Sequence, residues 1–139
     1  MKQYLGIDYG TKRIGLALGD DLTKVVTPFG VVSSIADIVD VLEREPVDQI
    51  VVGLPKSMHG ESGAMQAQVE QFVCELGLAT GVPIDVIDER LSSKAGDALG
   101  KTKDSVQKKM RQAKASRDAI AAMLILQSYL DRQSYGGNV

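Results

Sequence analysis

Apolar and polar positions form two short strand-like segments near the start of the chain, residues 4–8 and 14–19. A glycine-containing turn separates them, which is the pattern of a β-hairpin. A third strand is predicted over residues 24–33, and Pro28 within it favours the edge of a sheet. Because these strands follow one another through short connections, we expect them to pair antiparallel.

Further along the chain, apolar residues at helical spacing alternate with short apolar runs, as in crossovers between parallel strands. The run at residues 48–54 is apolar almost throughout, which indicates a central strand buried on both faces. The remaining predicted elements are a helix over residues 34–45 with Ser33 or Ser34 as N-cap, a helix over 62–79, a strand over 84–88, a short helix over 92–99 and a last helix from about Ser116 to Arg132.

Each helix carries an apolar stripe that we expect to be buried. Cys74 falls near the stripe of the second helix and is expected in or near the core. The buried residues predicted for the last helix are Ile120, Met123, Leu124, Leu126 and Leu130.

The element order β-β-β-α-β-α-β-α predicts an α/β fold with a mixed five-stranded sheet and helices on both faces. The hairpin strands are antiparallel, and the later two strands run parallel to the first through right-handed helical crossovers. Ligand sites in such sheets gather at the carboxyl ends of the strands. We therefore expect a functional site at this edge.

Acidic residues from three distant parts of the sequence are expected at that edge. Asp8 ends the first strand, Asp88 and Glu89 end the fifth, and Asp118 opens the last helix. Neighbouring strand residues face opposite sides, so only one of Asp88 and Glu89 should join the cluster, and the spacing leaves open which one. Taken singly, Asp118 could serve only the helix dipole, and the Asp88–Glu89 pair could be a solvated turn.

Converging carboxylates repel one another and stay ionised when a cation is present. Their hard oxygen atoms suit Mg²⁺ or Mn²⁺, and two such ions roughly 4 Å apart can promote hydrolysis of a phosphodiester. No histidine or cysteine is needed, and this chain has one of each, His59 and Cys74. His59 stands in a polar loop, where a solvent-facing role is the plainer interpretation.

Length and composition indicate one domain spanning residues 1–139. A single cysteine excludes an internal disulfide and fits a reducing, cytoplasmic setting. The first ten residues already contain Asp8, so no signal-peptide apolar core is expected, and no apolar run is long enough for a membrane helix.

Four blocks of the sequence resemble the YqgF family, also called RuvX, a bacterial family similar to Holliday-junction resolvases and proposed to process the end of precursor 16S ribosomal RNA. The blocks are GIDYGTKRIGLALGD (6–20), IVVGLPKSMHGESG (50–63), IDERLSS (87–93) and DAIAAMLILQSYLD (118–131). The resemblance implies an RNase H-like fold with strand order 3-2-1-4-5 and a divalent-metal nuclease. By position it also implies that Asp8, Glu89 and Asp118 are the catalytic metal ligands, which favours Glu89 over Asp88.

The charge distribution fits a nucleic-acid substrate. Residues 101–117 hold seven Lys and Arg against one acid, whereas the rest of the chain holds nine against seventeen. Basic residues near an acidic cluster can position backbone phosphates, although the basic stretch could equally be a solvated loop. The candidate phosphate contacts are Lys12, Arg13, Arg90, Lys108, Lys109, Arg111 and Lys114.

Three functions follow as hypotheses. The first is a nuclease that acts on structured RNA, or on branched DNA as a Holliday-junction resolvase. Aromatic residues make up only 4% of the chain, so we do not expect binding that depends mainly on stacking of single-stranded bases. The second is a non-catalytic RNA-binding factor of ribosome assembly. The third is an actin-like ATPase, suggested by the DYGTKRIG turn (8–15), but that class needs roughly twice this length. The expected partners are nucleic acid and ribosome precursors, and no interaction with a membrane is expected. The chain is expected to be a monomer or a homodimer.

Overall fold

The computed structural model describes residues 1–54, 62–88 and 117–136. Its sheet contains five strands in the order β3-β2-β1-β4-β5. The strands are β1 (Gln3–Asp8), β2 (Ile14–Asp20), β3 (Val26–Val32), β4 (Gln49–Leu54) and β5 (Ile84–Asp88). The helices are α1 (Ile35–Arg44), α2 (Ser62–Thr80) and α3 (Arg117–Gly136).

Strand pairing confirms the mixed sheet expected from the element order. Strand β2 pairs antiparallel with β1 and with β3, whereas β4 lies between β1 and β5 and is parallel to both. Strand β3, which contains Pro28, is at one edge as predicted. The carboxyl ends of β1, β4 and β5 therefore lie at the same end of the sheet, which we call the carboxyl edge.

Alternation along the strands divides the core into two layers. On one face, Leu5 and Ile7 of β1 pack with apolar residues of α1 and α2. On the other face, Tyr4 packs with the apolar stripe of α3. Gly6 faces α3 too, since a Cβ placed on it would lie 2.7 Å from the Leu126 Cβ. Even-numbered positions of β1 thus face α3, and Asp8 is the next of them.

Local signals explain where the helices begin and end. The Ser34 hydroxyl caps α1 by accepting a hydrogen bond from the Asp37 amide at 3.3 Å, which selects Ser34 from the two predicted caps. Helix α3 continues to Gly136, beyond the predicted end at Arg132. The predicted short helix over residues 92–99 and the loop that carries His59 lie outside the described residues.

Two burial predictions are wrong, both through the rotation of a helix. Cys74 is exposed, because Val69, Phe72 and Leu76 form the buried stripe of α2 and Cys74 lies about half a turn from Phe72. Leu124 is 43% exposed, because it lies at the margin of the α3 stripe beside buried Met123. Among the described residues, no helix combines the length and the apolar character that crossing a bilayer requires.

A polar network holds the far end of α3 to the start of β4 and β5. The Tyr129 hydroxyl donates to Asp85 at 2.5 Å and accepts from the Gln49 and Gln133 amides at 3.1 and 3.0 Å. Burial and the Asp85 carboxylate raise the pKa of Tyr129 above its ordinary value of 10.0. The contribution of this network to stability is therefore complete below about pH 10 and declines as the pH rises above it.

Replacing Tyr129 by Phe should lower the free energy of unfolding by about 1 kcal/mol, because Asp85 loses its hydroxyl donor while the ring remains. Urea unfolding at neutral pH measures this change. Tyr4→Phe is the matched control, since it removes one longer bond of 3.2 Å to a neutral amide, and its loss should be smaller. Equal losses would contradict a special role for the Tyr129–Asp85 bond.

Candidate active site

Asp8 is the last residue of β1, at the carboxyl edge of the sheet. Its register partners are glycines on both sides, Gly15 of β2 and Gly53 of β4. The strand beneath it is firmly held, because Leu5 and Ile7 are fully buried. Asp8 itself is half-buried on the α3 side of the sheet. The carboxylate is thus held by a well-packed strand. The residues that pair with Asp8 in the two neighbouring strands have no side chains that could crowd it.

Asp118 reaches the same place from the other end of the sequence, in the first turn of α3. A Cβ placed on Gly15 would overlap the Asp118 carbonyl and lie only 2.9 Å from the Ala119 nitrogen. The first turn of α3 therefore rests directly on Gly15, which is the register partner of Asp8. This contact puts the Asp118 backbone beside the β2 residue that pairs with Asp8, while the convergence of the two carboxylates stays a prediction.

Arg13 lies in the turn between β1 and β2 and reaches toward the start of α3. Its Nε is 3.6 Å from Asp118 Oδ2, and the arginine side chain is 76% exposed. Such an exposed ion pair contributes only about 0–1 kcal/mol. The guanidinium can therefore leave Asp118 for a phosphate at little cost. Lys12 is exposed in the same turn.

Most of the other predicted site residues are not described. Glu89, Arg90, Lys108, Lys109, Arg111 and Lys114 lie outside the described residues. Strand β5 is described as far as Asp88, and its Ile87 pairs with Gly53, the β4 partner of Asp8. The end of β5 thus reaches the level of Asp8 in the sheet.

The donor chemistry at this edge fits a hard divalent cation. Asp8 and Asp118 offer carboxylate oxygens, which Mg²⁺ and Mn²⁺ prefer, and both come from rigid elements rather than loops. Within residues 1–54, 62–88 and 117–136, no group of three or more His, Cys, Asp or Glu is placed to hold a metal. The third predicted ligand, Glu89, falls outside these ranges, so the predicted set of three stays a prediction.

Gly15 is a residue of this site that the sequence patterns did not single out. Any side chain there would push the first turn of α3 away from the sheet. The available signal was a glycine inside the strand segment IGLALGD (14–20). Glycine inside a strand often marks the close approach of another backbone.

Comparisons with known proteins show which family this chain resembles. The family model RuvX, described as Holliday junction resolvase, matches residues 2–132. A protein of Chlorobaculum tepidum is 40% identical over 138 residues, covering 96% of each chain. One of Anaeromyxobacter sp. is 38% identical over 135 residues, covering 93% of this chain and 96% of the relative. Both carry the name "Putative pre-16S rRNA nuclease".

Solved structures share the fold. Thermus thermophilus RuvC in complex with a Holliday junction substrate superposes with a TM-score of 0.69 at 17% identity, over 99% of this chain and 97% of that one. Fowlpox virus resolvase superposes with a TM-score of 0.54 at 11% identity, over 94% and 97%. These similarities confirm the RNase H-like fold that the resemblance implied. With the matching family model and the relatives above, they lead to one conclusion: the chain belongs to the RuvX family.

Proposed function

We propose that this RuvX-family nuclease uses Mg²⁺ or Mn²⁺ to hydrolyse phosphodiester bonds in structured nucleic acid, and that its substrate is the 5′ end of the 16S ribosomal RNA precursor. The observation that carries the proposal is the contact between Gly15 and the first turn of α3, which brings Asp118 to the strand end where Asp8 stands. The family and the names of the relatives support the kind of reaction and the substrate.

The proposed metal ligands are Asp8, Glu89 and Asp118. Asp85 and Ile87 of β5 both lie on the α3 side, because Asp85 bonds to Tyr129 and Ile87 packs in the α3 layer. That side therefore takes the odd-numbered positions of β5. Glu89 is the next odd-numbered residue in the sequence and Asp88 is not, which supports Glu89 as the third ligand.

When bound, such cations supply Lewis-acid stabilisation of the phosphodiester and lower the pKa of an attacking water. The chain contributes the geometry. Asp8 is held by a paired strand, and Asp118 by a helix that rests on that sheet, so the ligand positions change little during the reaction. Rigid placement matters because a displacement of about 1 Å can cost about 10²-fold in rate.

Arg13 and Lys12 are proposed as contacts to the backbone phosphates on either side of the cut. Both are exposed, and the weak Arg13–Asp118 pair leaves the guanidinium available as substrate arrives. Arg90, Lys108, Lys109, Arg111 and Lys114 are proposed to extend this positive surface. We also propose that residues 1–139 form one domain, monomeric or homodimeric, that works in the cytoplasm.

A four-way DNA junction is the second candidate substrate, favoured by the description of the family model as Holliday junction resolvase. The two substrates are distinguished by incubating the wild-type protein with a 16S precursor fragment and with a four-way junction, side by side, with Mn²⁺ and with a chelator. We expect Mn²⁺-dependent cleavage near the mature 5′ end of the RNA and at least about tenfold slower cleavage of the junction. Faster cleavage of the junction would assign the DNA substrate instead, and binding without cleavage of either would favour the non-catalytic alternative.

A further inference from the structure

A cleft between the turn after β1 and helix α2 lies next to the proposed metal site and has no part in the chemistry above. Its volume is about 320 Å³, at the lower end of the roughly 300–1,000 Å³ typical of small-ligand pockets. We call it the α2 cleft, and its lining residues are Tyr9, Thr11, Gln68, Gln71, Phe72 and Glu75.

The α2 cleft is one residue away from Asp8 along the chain. Tyr9 follows Asp8 directly, and the two Cα atoms of a trans peptide are about 3.8 Å apart. Asp8 is on the α3 side of the sheet, whereas Tyr9 packs with the layer of α1 and α2. A ligand that spans the carboxyl edge can therefore have one part at the metal site and another in the cleft.

The lining of the α2 cleft suits a neutral, planar and polar group. Half-buried Tyr9 offers an aromatic ring to the cleft, and buried Phe72 packs against that ring with centroids 4.6 Å apart. Two carboxamides and one carboxylate stand on the helix side, and the Gln71 amide donates to Glu75 at 3.2 Å. Carboxamides such as glutamine can pair with the edge of adenine, and carboxylates such as glutamate can accept from the amino group of cytosine.

The same lining argues against a phosphate. None of the six lining residues is Lys, Arg or His, and Glu75 is an anion that would repel one. Aromatic residues are scarce in this chain, with four Tyr, two Phe and no Trp, yet Tyr9 directly follows β1 and packs against Phe72 of α2. The lining of the α2 cleft thus holds one acidic side chain and no basic one.

We propose that the α2 cleft binds one unpaired nucleobase of the substrate, belonging to a nucleotide next to the bond that is cut. Proteins that read RNA sequence do so mainly at unpaired bases, stacking them on aromatic rings and pairing with their edges. The cleft then directs cleavage to a junction between paired and unpaired nucleotides. This inference rests on the proposed nuclease function, and it adds the recognition of a base.

Cleavage of substrates with a single abasic nucleotide tests the proposal. The abasic position is placed, one at a time, at each of the two nucleotides on either side of the cut in the preferred substrate. For the wild-type protein, we expect one position at which loss of the base raises KM about tenfold, since stacking and pairing of one base contribute about that much. In the double variant Gln68→Ala, Gln71→Ala, this preference for the intact base should fall to about threefold, because the amides that pair with the base are lost while Tyr9 remains for stacking.

Gln66→Ala is the matched control, because it makes the same change on the same helix outside the cleft. It should keep the tenfold preference. Cleavage by the wild-type protein that is indifferent to base removal at all four positions would overturn the base-binding proposal while leaving the nuclease function intact. An unchanged preference in the double variant would overturn it as well. No cleavage of any substrate would overturn the proposed function and this inference with it.

Discussion

Asp8→Asn is expected to lower the Mn²⁺-dependent cleavage rate by about 10³-fold, the scale of loss seen when one preorganised electrostatic group is removed from an active site. The substitution keeps the size of the side chain and replaces a negative oxygen donor by an amide. Because Asp8 is half-buried at the end of a strand whose Leu5 and Ile7 are fully buried, the fold should persist. Single-turnover cleavage together with circular dichroism measures both expectations.

Asp40→Asn is the matched control, since it makes the same change at an exposed position of α1. It should cleave like the wild-type protein. The non-catalytic alternative makes the opposite prediction in cells. It expects neutralisation of Lys108, Lys109, Arg111 and Lys114 to abolish function and Asp8→Asn to have no effect, so a fully functional Asp8→Asn strain would contradict the nuclease mechanism.

Gly15→Ala should lower the cleavage rate at the same site although it changes no charged residue. The new Cβ would overlap the Asp118 carbonyl, and backbone atoms cannot turn aside as a flexible side chain can. The first turn of α3 must therefore move away from the sheet, at a cost of about 1–3 kcal/mol in the free energy of unfolding. A shift of about 1 Å in Asp118 is expected to lower the cleavage rate by about 10²-fold. Urea unfolding and single-turnover cleavage measure the two effects.

Gly30→Ala separates this effect from the general consequences of placing alanine in the sheet. Gly30 lies in the neighbouring strand β3, and a Cβ there would meet nothing within 4 Å. This variant should retain both stability and activity. If Gly15→Ala proved as active as Gly30→Ala, the position of Asp118 against the sheet would not matter for cleavage.

The architecture could be predicted because its signals are local. Alternation of apolar and polar residues indicated the hairpin, and a continuous apolar run indicated the central strand β4. The handedness of helical crossovers predicted that β4 and β5 run parallel to β1, whereas the strand order was implied by the family resemblance. The position of Asp8 at the carboxyl edge could be predicted in the same way, because Asp8 ends a buried strand. The approach of the first turn of α3 to Gly15, the partner of Asp8, could be predicted only coarsely, from the rule that sites form at the carboxyl ends of strands.

Other features depend on how elements rotate and approach one another, which sequence spacing describes poorly. Cys74 and Leu124 were misplaced because each lies beside a buried stripe, where a small rotation of the helix decides exposure. The need for Gly15 arises only when α3 crosses β2 at that residue. The α2 cleft was missed because Gln68 and Gln71 resemble an ordinary solvent-facing helix surface. The roles of Glu89 and of the basic stretch stay predictions.

The most direct test of the central claim is the single-turnover cleavage rate of the wild-type protein on the 16S precursor fragment as Mn²⁺ is titrated into metal-free buffer. If Asp8 and Asp118 hold the catalytic cations, the rate rises from background to a plateau, and Asp8→Asn shifts or abolishes that rise. Cleavage at the same rate in excess chelator, or a titration curve identical for the wild-type protein and Asp8→Asn, would contradict the claim.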